Sequence, residues 1–290
     1  MQTDEAFYYK VSSGKLRGMV LLHVDDFLMS GDDKFCKETT EMFESHLTVS
    51  KVEDNEFRYC GLDIKIEETK LEVSMEEYTL SLEEWPVREG KKREHLNKDE
   101  LKVFRKITGK ISWLAMNCRP DLSHNSLKLS MRSRDATLQD LKYANASVRK
   151  AKAKVSKVSY KRVSAEGEAS VYGISDASHK PGEKAVGGQF VVMGAAKTDV
   201  VIPLFWRSKL IQKVCKSPKD AETINLGIVA DVACNFAKQI EEIMYDKKKK
   251  VETKIFTDSL GTLESIASSH QVERRNMRAD VADLKQRLEL

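Results

Sequence analysis

The chain has 290 residues, of which 41% are hydrophobic, with few glycines and prolines and no low-complexity tract; this excludes a disordered or fibrous chain and suggests two or three folded domains. Its longest apolar runs are too short to span a bilayer, its acidic start MQTDEAFYYK is no signal peptide, and its five scattered cysteines form no CxxC pair. A protein inside the cell (cytoplasmic or nuclear), with no membrane partner, disulfide framework or zinc site, is therefore expected. The net charge of +4 hides an uneven distribution: residues 1–85 carry 9 basic and 20 acidic side chains, residues 86–165 carry 21 and 7, and residues 166–290 carry 19 and 18. A middle third at +14 is the electrostatic signature of a polyanion partner, nucleic acid foremost.

Along residues 1–85, EAFYYKV and GMVLLHV are short β-rich runs, and FLMSG continues after Asp25 and Asp26. This pattern predicts a hairpin with the two aspartates at its turn. DKFCKETTEMFESHL repeats Phe35, Thr39, Met42, Phe43 and Leu47 at helical spacing. FRYCGLDIKIEE and KLEVSME read as a second hairpin, and EEYTLSLEEW as a short helix.

REGKKREHLNKDE, residues 88–100, is charged and nearly devoid of apolar residues, which predicts a linker. LKVFRKITGKISWLAMNC is an amphipathic helix stopped near Arg119-Pro120, and DLSHNSLKLSMRS is another helix. From Leu141 to Ala165 there is no acidic residue. Val148, Ala151, Val155 and Val158 form an apolar stripe at helical steps. Lys150, Lys152, Lys154, Lys157, Lys161 and Arg162 cover the remaining surface, either as a solvated helix face or as a face that tracks phosphates. Tyr78, Trp85, Trp113 and Trp206 are expected in the core, and the cysteines act as small hydrophobes.

From residue 169 the pattern changes. ASVYGISDAS, GGQFVVMGAA and DVVIPLFWRS form an antiparallel meander. A long helix is predicted from about Pro218 to Met244, with Ile224, Ile228, Val232 and Phe236 on one face. The strand TKIFTDS and the helices LGTLESIASS and RADVADLKQRLEL follow. The whole reads as α/β, with three regions: 1–85, 86–165 and 166–290. In the last region acids fall at strand ends and helix starts: Asp176, Glu222, Asp258 and Asp280. An aspartate at such a place is commonly a turn former or a cap. Four together repel one another, and a hard divalent ion, Mg²⁺ or Mn²⁺, is the usual resolution of such repulsion.

These stretches resemble, in order, copia-type retrotransposon Pol polyproteins. GISDASHKPGEKAVGGQF, WRSKLIQKVCKSPKDAE, FTDSLGTLES and HQVERRNMRADVADLKQRLE resemble segments of that family's ribonuclease H domain. VLLHVDDFLMSGDD resembles its polymerase hairpin, YCGLDIKIE the end of its palm, and FRKITGKISWLAMNCRPDLSHNSLKLS the helix pair that follows. The resemblance implies an α+β remnant of the palm in 1–85 and a basic thumb or connection region in 86–165. It further implies a ribonuclease H-like mixed sheet with flanking helices in 166–290. The family's catalytic acids fall on Asp176, Glu222, Asp258 and Asp280, the first three as metal ligands, and its polymerase metal pair on Asp25 and Asp26. His23 stands where the family has an aromatic residue, and Ile211 where glutamine is common.

The implied activity is Mg²⁺-dependent (or Mn²⁺-dependent) hydrolysis of RNA in RNA–DNA hybrids. Set against the family, the chain starts inside the palm. RNA-directed DNA synthesis is therefore expected only with the upstream palm and fingers of the polyprotein supplied. The alternatives are a non-catalytic remnant that binds nucleic acid and a solitary structural α/β module.

Overall fold

The computed structural model describes residues 5–161, 169–195, 199–268 and 277–288. Strands β1 (Phe7–Ser12), β2 (Lys15–His23) and β3 (Asp26–Gly31) form an antiparallel sheet in that order. Helix α1 (Asp33–His46) follows, and the Asp32 side chain caps it by accepting the Phe35 N–H at 2.9 Å. Phe35 packs into the sheet where Gly18 and Gly31 leave room: a Cβ on Gly18 would lie 2.0 Å from its ring. Of the apolar positions predicted for α1, Phe35 is buried and Phe43 lies 4.3 Å from Phe27, but Met42 and Leu47 are exposed.

The next sheet holds one strand more than a hairpin, and a fourth from elsewhere. FRYCGLDIK turns back on itself at Cys60 (φ 50°) and Gly61 (φ 78°), so β4 (Glu56–Tyr59), β5 (Leu62–Ile66) and β6 (Lys70–Ser74) form a meander. Two consecutive left-handed residues match the twist that tight hairpins need. The fourth strand, β7 (Val158–Lys161), pairs antiparallel with β6. The sequence stripe through Val155 and Val158 therefore does not continue as a helix. Helix α5 (Leu138–Ala153) stops first, and the β-branched residues beyond it enter an extended segment and a strand. The sheet thus draws strands from both sides of residue 85.

Helices α2 (Glu76–Leu80), α3 (Lys98–Asn117), α4 (Ser123–Met131) and α5 enclose the largest core, built on Phe104, Ile111, Leu114, Leu122, Leu141 and Val148. Tyr160 of β7 and Leu62 of β5 pack against both this core and the β4–β7 sheet. The stretch 88–100 is not a free linker. Arg88 binds Glu94 and Glu100, the Leu96 N–H donates to the Ala136 carbonyl, and His95 bridges Thr137. Its charges are used internally, which composition alone does not reveal. Asn97 with Glu100 and Thr137 with Asp140 form reciprocal caps that start α3 and α5. Arg119 is buried at 2% exposure. It donates to both Asp121 oxygens at 2.8 and 3.0 Å and to the Ala151 carbonyl at 2.8 Å, closing the end of α5.

The last unit is a mixed four-stranded sheet in the order β10-β9-β8-β11. Strands β8 (Ala169–Ser178), β9 (Val186–Ala195) and β10 (Val201–Leu210) are antiparallel neighbours, and β11 (Glu252–Thr257) runs parallel to β8. Helix α6 (Pro218–Tyr245) crosses one face, and α7 (Leu260–Ala267) and α8 (Arg278–Leu288) follow β11. The buried stripe of α6 runs through Ala221, Asn225, Val229, Ala233 and Ala237. Of the large apolar residues that the pattern singled out, Ile224 is buried, Val232 and Phe236 are partly buried against the core, and Ile228 is exposed. Small residues recur along the stripe because the helix lies close to the sheet: a Cβ on Gly173 of β8 would sit 2.7 Å from Val229 and 2.9 Å from Ile255. Among the described residues no helix is long and apolar enough to cross a membrane.

This close approach sets a prediction. Gly173→Val forces α6 off the sheet and is expected to destabilise the fold by about 1–3 kcal/mol in chemical denaturation, with Gly109→Ala, exposed on α3 and with open space at its Cβ position, as a control that costs less.

Candidate metal centre

Three of the predicted acids meet. Because β8 and β11 are parallel, with Thr257 opposite Ser175, their carboxyl ends lie side by side. Asp176 sits two residues before β8 ends, and Asp258 directly follows β11. Glu222, in the first turns of α6, completes the group from above. One carboxylate oxygen from each of Asp176, Glu222 and Asp258 lies within 4.8 Å of the other two. Asp176 and Asp258 are exposed, and Glu222 is half-buried.

The environment of Glu222 is unusual. One of its oxygens accepts the Ala177 N–H at 3.1 Å. The other is buried and has no hydrogen-bond partner. Burial raises the Glu222 pKa above the usual carboxylate range; the Asp176 and Asp258 charges add to this, and the Ala177 N–H opposes it. No lysine or arginine pairs with any of the three acids among the described residues. Three converging oxygen ligands, with no His or Cys and an orphaned buried oxygen, suit a hard divalent cation.

Two polar networks fix the geometry, and neither was read from the sequence. Asn225, one turn after Glu222 and fully buried, donates through its amide to Ser175 Oγ (2.8 Å), the Asp176 carbonyl (3.0 Å) and the Gly188 carbonyl (2.9 Å). Its oxygen accepts from Gln189 at 3.2 Å. Gly187 lacks a side chain because a Cβ there would lie 2.0 Å from the Asn225 oxygen. On the other side Thr262 of α7 joins Thr223 (3.2 Å) and Ser259 (2.9 Å), fastening the chain after Asp258 to the residue next to Glu222. The signal for Asn225 was a polar residue inside an apolar helical stretch, between Ile224 and Leu226.

Asp280 does not join the group. It lies in the first turn of α8, where its carboxylate pairs with Lys213. Asp25 and Asp26 are exposed on the β2–β3 hairpin. Val24 and Asp25 form its two-residue turn, and His23 pairs with Asp26. Val24 takes φ 53°, a left-handed conformation that a β-branched residue adopts only at a cost. Among the described residues no third ligand forms a group with this pair.

The basic segment divides. Lys150 donates to the Asp121 carbonyl at 2.7 Å and Lys152 to the Leu82 carbonyl at 2.9 Å, while Lys157 pairs with the buried Glu72. These lysines fasten loops, and near the end of α5 they also favour its dipole. Lys154 and Lys161 are exposed, and Arg162 lies outside the described residues. Trp206 and Tyr78 pack against the helical core, as expected. Trp85 and Trp113 are instead over 40% exposed, at 43% and 42%. The five cysteines are free. No model of a known protein family matches the chain, and no curated protein matches it.

Two outcomes follow from this geometry. A carboxyl whose pKa is raised by folding binds its proton more tightly in the folded chain, so its ionisation opposes folding. That cost is absent below the usual Glu pKa and fully present above the raised one. Glu222→Gln is therefore expected to raise the melting temperature in EDTA at neutral pH. The gain should vanish as pH falls below the ordinary carboxylate range, and Mn²⁺ should stabilise wild type more than the variant. Asn225→Ala leaves several buried partners unsatisfied and is expected to cost about 1–3 kcal/mol, read by denaturation in EDTA, and to weaken Mn²⁺ binding measured by electron paramagnetic resonance.

Proposed function

We propose that this chain is a metal-dependent nuclease of the ribonuclease H type, cleaving the RNA strand of RNA–DNA hybrids, from a copia-type retroelement polyprotein. The observation that carries this reading is the convergence of Asp176, Glu222 and Asp258 at the carboxyl ends of β8 and β11 under α6. The hybrid as substrate comes from the sequence resemblance, and the order of the four strands and α6 is compatible with it.

Asp176, Glu222 and Asp258 would hold Mg²⁺ or Mn²⁺. Bound there, such ions supply an activated water and charge neutralisation for in-line attack on a phosphodiester. The protein contributes the rest. Asp176 and Asp258, both exposed, face the side from which a backbone phosphate arrives. Glu222, set deeper, holds negative charge where water is scarce, and Asn225 and Thr262 keep the carrying elements at fixed separation. Among the described members of the basic segment, Lys154 and Lys161 are those without an internal partner and free to meet a duplex backbone. Asp25 and Asp26 belong to the polymerase half of this reading, which requires upstream palm and fingers.

One observation favours a second reading, a nucleic-acid binder without turnover: Lys213 holds the fourth family acid, Asp280, in an ion pair. Both readings share salt-sensitive binding, and turnover separates them. With Mg²⁺ or Mn²⁺ the purified chain is expected to cut a labelled RNA strand in a hybrid and leave single-stranded RNA intact. Asp176→Asn and Asp258→Asn should reduce cutting to background while hybrid binding persists. Binding with no cutting by wild type would establish the second reading, and cutting undiminished in Asp176→Asn would remove the proposed centre.

A further inference from the structure

A cleft of about 430 Å³ lies between the helical region and the β8–β11 sheet, away from the acid trio. One wall is the turn at Arg119–Asp121 with the stretch from Lys154 to Ser159. The other is formed by Phe190 of β9 with Pro203 and Trp206 of β10. The chemistry of the two walls differs in a way that suits one class of ligand.

The sheet wall is aromatic. Phe190 and Trp206 are cross-strand partners, so their side chains stand on the same face. Gln189 and Val191, on either side of Phe190, are buried on the α6 side, so Phe190 points away from α6 into the cleft. The Trp206 Nε1–H donates to the Ala115 carbonyl at 2.6 Å, which fixes the indole by its edge. Both rings are only partly buried. The opposite wall is cationic and hydroxylated. Lys154 is exposed and has no ion-pair partner among the described residues. Lys157 shares the buried Glu72 with Lys70, so that carboxylate is doubly compensated. Asp121 is likewise shared by Arg119 and Lys150. Ser156 and Ser159 add hydroxyls to the cleft lining.

Aromatic faces opposite cations, with neutral hydroxyls in the lining, match a flat base, a phosphate and a sugar. A purely acidic peptide would use the lysines and leave the rings idle. An apolar ligand would use the rings and strand the lysines. We propose that this cleft binds a nucleotide, its base against Phe190 and Trp206 and its phosphate at Lys154 and Lys157. The ligand is either a free nucleotide or one unit of a single strand. This goes beyond the nuclease reading: it gives Lys154 a defined subsite instead of general contact with a duplex, and adds Lys157 to it. The site needs neither metal nor the acid trio.

The test is calorimetric titration of the full chain, in EDTA and at low salt, with adenosine monophosphate and with a short oligodeoxyadenylate. Binding is expected, weakened at least about 10-fold by Lys154→Glu and by Phe190→Leu. Lys154 is exposed, so its variant leaves the fold intact, and leucine retains most of the packing at 190. Tight binding of the mononucleotide assigns the cleft to a free nucleotide. Binding of the oligonucleotide alone assigns it to a strand. Binding of neither, affinities unchanged in both variants, or equal affinity for a polyglutamate peptide would each overturn the proposal. A chain that binds nucleotide but cuts no hybrid loses the nuclease reading and retains this one; a chain that cuts but binds no nucleotide does the reverse.

Discussion

The buried amide of Asn225 is the contact on which the rest of the last domain depends. It joins α6 to two adjacent strands at once, through Ser175, the Asp176 carbonyl and the Gly188 carbonyl. A fully buried amide without partners is costly, so the helix has one favourable height and one favourable rotation over the sheet. That setting brings Glu222, one turn earlier, over the end of β8. The glycines at 173 and 187 and the alanines along α6 are consequences of the same closeness, since larger side chains would separate what the amide holds together.

The site gained by this packing is under electrostatic tension. Three carboxylates converge with no cation among the described residues paired to them, and one Glu222 oxygen is buried without a partner. Converging carboxylates of this kind oppose folding, and a divalent ion is the usual relief of such repulsion. The contrast with the rest of the molecule is instructive. Glu72, buried more deeply than Glu222, is held by two lysines, and Asp121 by an arginine and a lysine. Where charge serves structure in this chain it is paired, and at the acid trio it is not.

The regions are coupled more closely than a string of domains would be. Strand β7 carries the chain out of the helical core into the β4–β6 sheet, and Tyr160 packs on both. Trp206 reaches from the last sheet to the backbone of α3, and Tyr9 from the first strand to Glu242 of α6, at 2.9 Å. The cleft is a product of this coupling, because its two walls come from different regions of the chain.

The sequence by itself determined most of the elements and their order, and singled out the three acids that meet together with a fourth, Asp280, that does not. Period-two and helical patterns are local properties, and carboxylates at strand ends stand out against apolar runs. It also located the paired aspartates on a tight hairpin. Tertiary structure decided what depends on distances between segments far apart in the chain. It set several small residues, Ala221, Ala233 and Ala237 among them, on the buried face of α6 and left Ile228 exposed, because the stripe depends on how near the sheet lies. It turned the charged stretch 88–100 into a pinned segment and the tail of the lysine run into a strand, because their partners are remote in sequence. It set Asp280 against Lys213 and away from the trio, because a carboxylate goes to the cation that the fold brings within reach.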